Sequence, residues 1–102
     1  MIKVLNTTSA VIVKGHAHDG GGMITKDELR ACEAVTALCF TLIAGMLDVL
    51  KTDPIYDLEK GHFAIVKDGM TKEEILLTDV FLNGLRALAD RYTQEIKIDD
   101  QA

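Results

Sequence analysis

Gly15-His16-Ala17-His18-Asp19-Gly20-Gly21-Gly22 ends one strand-forming run, and Cys32-Glu33-Ala34-Val35-Thr36-Ala37-Leu38 begins the apolar body of a long helix. Between them they mark where sheet gives way to helix. Immediately upstream, Ala10-Val11-Ile12-Val13 is an uninterrupted, largely β-branched run that suits a strand buried on both faces. The glycines have no side chains to pack and wide conformational freedom, so a mobile loop is expected over Gly20, Gly21 and Gly22. The stretch thus delivers an imidazole from a strand end and a thiol from a helix, the two groups that thiol-nucleophile chemistry requires.

Working outward, Ile2-Lys3-Val4-Leu5 reads as a strand and Asn6-Thr7-Thr8-Ser9 as a turn, so the first two strands form a hairpin. Downstream, Thr25-Lys26-Asp27-Glu28 fits a capping box with Thr25 as N-cap and Glu28 reaching back. Leu29, Cys32, Val35 or Thr36, Cys39, Leu42 or Ile43, Met46 and Val49 or Leu50 recur at helical steps, predicting a helix to about Lys51. The intervening positions are also small or apolar, so this helix needs cover on more than one side: the sheet, and the second helix or a partner subunit. Asp53-Pro54 ends it. Ile55–Leu58 and His62–Val66, joined by Glu59-Lys60-Gly61, form a second hairpin. Thr71-Lys72-Glu73-Glu74 caps a second helix to about Tyr92, with Leu77, Phe81, Leu85, Leu88 and Tyr92 on a stripe that Ile75, Val80 and Leu82 widen. Gly45 and Gly84 inside the helices suggest close backbone approach. Glu95–Ile98 alternates as a last strand, and residues 99–102 read as a solvated tail. The expectation is an α/β (α+β) fold in a single domain over 1–102. Its order is ββαββαβ, with a five-stranded mixed sheet and two long helices.

Composition bounds the function. The 102 residues are 48% hydrophobic, enough for one compact core, and a net charge of −5 disfavours a nucleic-acid or phosphate-binding role. Cys32 and Cys39 lie on one helix, roughly 10 Å apart at 1.5 Å per residue, too far for a disulfide. Met1-Ile2-Lys3-Val4 leads directly into a strand with no signal peptide, so the expected location is the cytoplasm. Ala34–Leu50 imitates a membrane span, but Glu33 and Asp48 shorten it below the roughly 20 apolar residues a span needs. A core helix is expected, and no membrane partner.

His16-Ala17-His18-Asp19 also has the look of metal-binding His-x-His motifs, but those need further ligands, and only His62 and scattered carboxylates remain. No metal and no cofactor is expected. Lys14-Gly15-His16 recurs as Lys60-Gly61-His62; the second copy leads into a strand with no cysteine after it, so His62 reads as structural. Cys39, deeper in the apolar run, reads as packing. The helix should begin between Lys26 and Arg30. If Thr25 is the N-cap, Cys32 sits two turns inside and gains little from the helix dipole. If the onset is nearer Leu29, Cys32 lies in the first turn with a free N–H for an oxyanion.

These residues resemble the ribosomal-processing cysteine protease (Prp) family, of which the chain would be a divergent member. Gly15-His16-Ala17 matches the family's Gly-His-Ala strand end. Cys32 to Leu38 matches its cysteine, small residues, valine and a Ser/Thr four places on, and Gly61-His62-Phe63 matches its Gly-His-Phe. The resemblance implies a cysteine endopeptidase with a Cys–His dyad: Cys32 the nucleophile, His16 the base, Gly15 and Ala17 supporting, and Thr36 a hydroxyl partner one turn below the thiol. It implies removal of the N-terminal extension of a large-subunit ribosomal protein after an aromatic residue, with Gly20, Gly21 and Gly22 in the substrate loop. A homodimer would cover the second apolar face of the first helix. Leu29-Arg30-Ala31 stands where the family has an Asp-Ile-Val-like run, so its acidic residue is missing, and the loop from His16 to Cys32 is longer. The competing reading is a catalytically inactive or phage-adapted dimeric peptide-binding domain of the same fold.

Overall fold

The computed structural model describes residues 1–15 and 24–101. Strands β1 (Ile2–Asn6) and β2 (Ala10–Lys14) precede helix α1 (Lys26–Ala44), which continues into a π-helical turn over Gly45–Val49. Strands β3 (Tyr56–Glu59) and β4 (His62–Val66), helix α2 (Lys72–Arg91) and strand β5 (Ile96–Asp100) complete the order ββαββαβ. The five strands make one mixed sheet in the order β3-β4-β2-β1-β5, with only the β1–β5 pair parallel.

Alternation explains the core. Ile2, Val4, Val11, Val13, Phe63, Ile65 and Ile96 point to one face of the sheet and are buried there. Against them α1 sets Ala31, Val35, Cys39, Leu42 and Ile43, with Met46 from the π-turn. Helix α2 adds Phe81, Leu82 and Leu85, and Phe63 and Phe81 meet edge to face at 5.7 Å between centroids. By length and composition alone, Lys26–Val49 is long and apolar enough to cross a membrane. In the structure its inner face is instead the centre of this core.

Both capping boxes are formed. Thr25 accepts from the Glu28 amide at 3.1 Å and Thr71 from the Glu74 amide at 3.2 Å, with each glutamate returning to the cap N–H. They fix where both helices start.

Several sequence expectations change. Val80 is 62% exposed and Ile75 faces outward too, so the inner stripe of α2 is narrower than its apolar content suggests. Glu74 and Thr78 are buried in their place, because the cap turns Glu74 inward to meet Thr52 and Thr71. Asp99 and Asp100 are not a free tail: they belong to β5, where Asp100 receives hydrogen bonds from Asn6 at 2.7 Å and Arg86 at 3.0 Å. Ala10 and Ile12 are only half-buried, so β2 is covered on one face by the described residues, not two. Gly45 and Gly84 do mark close packing, but of side chains. A Cβ there would stand 3.3 Å from Leu77 Cδ1 and 3.2 Å from Leu38 Cδ1, respectively.

Candidate active site

Helix α1 presents Cys32 and the end of β2 presents Gly15. Both line one groove of about 440 Å³, with Thr36 beside Cys32 and the β3–β4 turn, Glu59 to Gly61, on the far side. Val35, Phe40, Leu58 and Phe63 give it a mainly apolar lining. The structure therefore brings together Cys32, Thr36 and Gly15. His16, Ala17, Gly20, Gly21 and Gly22 lie outside the described residues, as do His18 and Asp19.

The capping box decides the setting of Cys32. With Thr25 as N-cap and Lys26 the first helical residue, Cys32 lies two turns in, and its amide belongs to the helix ladder. Its own N–H is not free for an oxyanion, and the helix dipole, confined to the first turn, contributes little. Cys32 is half-buried and borders the groove, so its sulfur is within reach of a ligand lying there. Cys39 also borders the groove but is 3% exposed, and burial pushes its thiol up to about 12. A thiol that resists ionisation at neutral pH is a poor nucleophile. Of the two cysteines, only Cys32 combines access with a groove.

Gly15 is held by three constraints. Its φ is +92°, its amide donates to the Gly61 carbonyl at 2.9 Å, and a Cβ would stand 2.6 Å from the Met1 carbonyl oxygen. Only glycine fits this turn without displacing backbone. Gly61, also at positive φ (+75°), is its counterpart in the repeated Lys-Gly-His motif. The two copies are neighbours in space, with Lys14 opposite His62 in the β2–β4 register. His62 approaches Asp57 at 3.7 Å and adjoins the groove.

Sequence reasoning missed the groove's far wall. Leu58, Glu59 and Lys60 read as a strand end and a turn, and Phe40 as one more apolar residue of α1. The repeated motif was the available signal, since pairing of its two copies draws the β3–β4 turn alongside Gly15. Among the described residues no cluster of His, Cys, Asp or Glu could hold a metal ion.

Solved structures with this fold are known. The ribosomal processing protease Prp from S. aureus in complex with a substrate peptide superposes with a TM-score of 0.81 at 22% identity, covering 99% of this chain and 100% of that one. The same protease with a covalently linked product peptide gives 0.79 at 24% identity, covering 99% and 100%. The chain has the Prp fold. SMU.848 from Streptococcus mutans is also similar, with a TM-score of 0.69, 22% identity and coverage of 98% and 91%. No family model and no curated protein sequence matches the chain. At this level of identity the likeness extends to the fold, and the S. aureus protein supplies a precedent for peptide in that fold.

Proposed function

We propose that this chain is a cysteine endopeptidase in which Cys32 is the nucleophile and His16 the base. The observation that carries the reading is the groove shared by Cys32 and Gly15, since Gly15 is the residue immediately before His16. Rigid placement of Gly15 by Gly61 and Met1 supports a fixed departure point for the chain that bears the imidazole.

In this reading His16 takes the Cys32 proton, and the thiolate attacks the scissile carbonyl. His16 then protonates the departing amine as the C–N bond breaks, leaving an acyl-enzyme thioester. Water, deprotonated by His16, hydrolyses the thioester and returns the thiol. Because Cys32 lies beyond the first helical turn, activation rests on the imidazole rather than on the dipole. Thr36, one turn on, supplies a hydroxyl beside the reacting sulfur. Ala17 supports His16, and Gly20, Gly21 and Gly22 belong to the substrate loop.

The substrate is an extended peptide whose large apolar or aromatic side chain enters the groove between Phe40, Leu58 and Phe63. The N-terminal extension of a large-subunit ribosomal protein is the first candidate. The outward faces of the helices support a homodimer: Leu76 and Val80 are 63% and 62% exposed one turn apart on α2, and Leu47 is exposed in the π-turn. Covering a side chain such as Leu76 is worth up to about 1.5–3 kcal/mol. The cytoplasm, with its reduced thiols, is the matching compartment.

The test is cleavage of an aromatic-containing peptide by the wild type and three variants. Cys32→Ala and His16→Ala should each abolish cleavage, and Cys39→Ala should retain it. Equal cleavage by all three would overturn the assignment. The placement of Cys32 two turns inside α1 favours a second reading, a dimeric peptide-binding domain without catalysis, possessing the groove but no activated thiol. Peptide binding without cleavage by the wild type would establish it.

A further inference from the structure

The outer face of the sheet carries a basic stripe that the chain's overall charge does not explain. Lys3 stands directly opposite Lys14 on β2 and Lys97 on β5. All three are exposed, in a chain of net charge −5. Like charges directly opposite one another oppose strand pairing, so three ammonium groups are held on adjacent strands against their mutual repulsion. Among the described residues none of the three forms an ion pair.

The next row along the strands is apolar. Leu5 faces Ile12, and Ile12 faces Ala64, all half-buried; Asp99 and Asp57 close the row at its two ends. A groove of about 370 Å³ runs along Lys3, Leu5, Ile12, Lys14, Lys97 and Asp99. No described element covers it, although the composition of β2 suits burial on both faces.

We propose that this face docks an acidic amphipathic helix of a partner protein. The spacing fits. Neighbouring strands lie about 4.8 Å apart and a helix advances about 5.4 Å per turn, so a helix laid across the strands offers one carboxylate per turn to one lysine per strand. Lysine stems absorb the small mismatch and add apolar contact. Aliphatic residues on the adjoining stripe of that helix settle on Leu5, Ile12 and Ala64. Single-stranded nucleic acid fits less well, because the outward positions of the five strands hold no Phe, Tyr or Trp for bases to stack on, and the one ring there is the His62 imidazole beside Lys14. The surface is distinct from the Cys32 groove, and the proposal does not depend on proteolysis.

The test is fluorescence anisotropy with a labelled helical peptide carrying one glutamate per turn on one stripe and leucines on the next. A scrambled peptide of equal composition and an oligouridine RNA are the comparisons, at low and at physiological salt. The wild type should bind the amphipathic peptide in preference to both. The Lys3→Glu/Lys97→Glu variant should lose affinity by about tenfold or more, as expected for reversed charges in a complementary interface. Its thermal midpoint should hold, because reversing position 3 turns its repulsion with Lys14 into attraction while the 3–97 pair stays like-charged as before, so lost binding cannot be assigned to unfolding. The proposal is overturned if the wild type does not bind the peptide, if wild type and variant bind equally, or if the scrambled peptide or the RNA binds as well.

Discussion

Gly15→Ala isolates the backbone constraint on which the candidate site rests. At φ +92° an alanine incurs steric strain of about 1–2 kcal/mol. Its Cβ would also stand 2.6 Å from the Met1 carbonyl oxygen, a backbone atom that can yield only by moving β1 or the end of β2. Forcing an extra carbon into such a contact costs a further 1–3 kcal/mol or so. The total, about 2–5 kcal/mol, corresponds to a fall in thermal midpoint of roughly 10 °C or more for a domain of this size. Gly69→Ala is the control, because Gly69 has φ +79° but nothing within 4 Å of its would-be Cβ, leaving strain alone. Circular dichroism melts of both variants give the stability difference. Peptide cleavage at a temperature where both remain folded gives the functional one, and Gly15→Ala should be impaired well beyond Gly69→Ala. Equal melts and equal activities would show that contact with Met1 does not fix the strand end.

The thermodynamic and assembly consequences can be checked separately. The Thr71 amide and the Thr52 hydroxyl hold the Glu74 carboxyl below its usual range, and Asn6 and Arg86 do the same for Asp100. Since the folded values are the lower ones, the unfolded chain takes up protons first. This stabilisation is complete above the unfolded range of about 4–4.5 and is lost as pH falls through the folded values. Urea midpoints from neutral pH into acid should therefore fall less steeply for Glu74→Gln and Asp100→Asn than for the wild type. Gly84→Ala should leave stability unchanged or raise it by up to about 1 kcal/mol, because helix propensity improves and Leu38 Cδ1, at 3.2 Å, is the free end of a side chain; a loss above 1 kcal/mol in the same titration would contradict this. Leu76→Glu with Val80→Glu should convert a dimer to monomer in sedimentation equilibrium, and an unchanged mass would place any dimer contact elsewhere.

The fold was legible because local signals agreed with one another. The two Thr-x-x-Glu boxes set both helix starts, and alternation in Ile2–Leu5 and His62–Val66 set the buried face of the sheet. What the sequence left hidden depended on partners distant along the chain. Asp100 looked like a solvated end until Asn6 and Arg86, on other elements, drew it into β5. Ile75 and Val80 had the right period for the core, but the cap rotates Glu74 and Thr78 into that place. Ile12 had the composition of a doubly buried strand and has one covered face. At the candidate site, the sequence pointed to Cys32, Gly15 and Thr36, which share a groove. Whether Cys32 began a helix or lay within one turned on competition between Thr25 and Leu29 as the onset, and the formed capping box settles it. The β3–β4 turn was expected, but its place beside Gly15 was missed because it arises from strand order β4-β2, which no local pattern encodes.

The most direct test of an imidazole-activated thiol is the rate at which iodoacetamide alkylates each cysteine, followed by mass spectrometry across the neutral pH range. Cys32 should react far faster than Cys39, whose thiol is pushed up to about 12 by burial, and His16→Ala should slow Cys32 alone. Comparable slow labelling of both cysteines, unaffected by His16→Ala, would contradict a Cys32–His16 dyad.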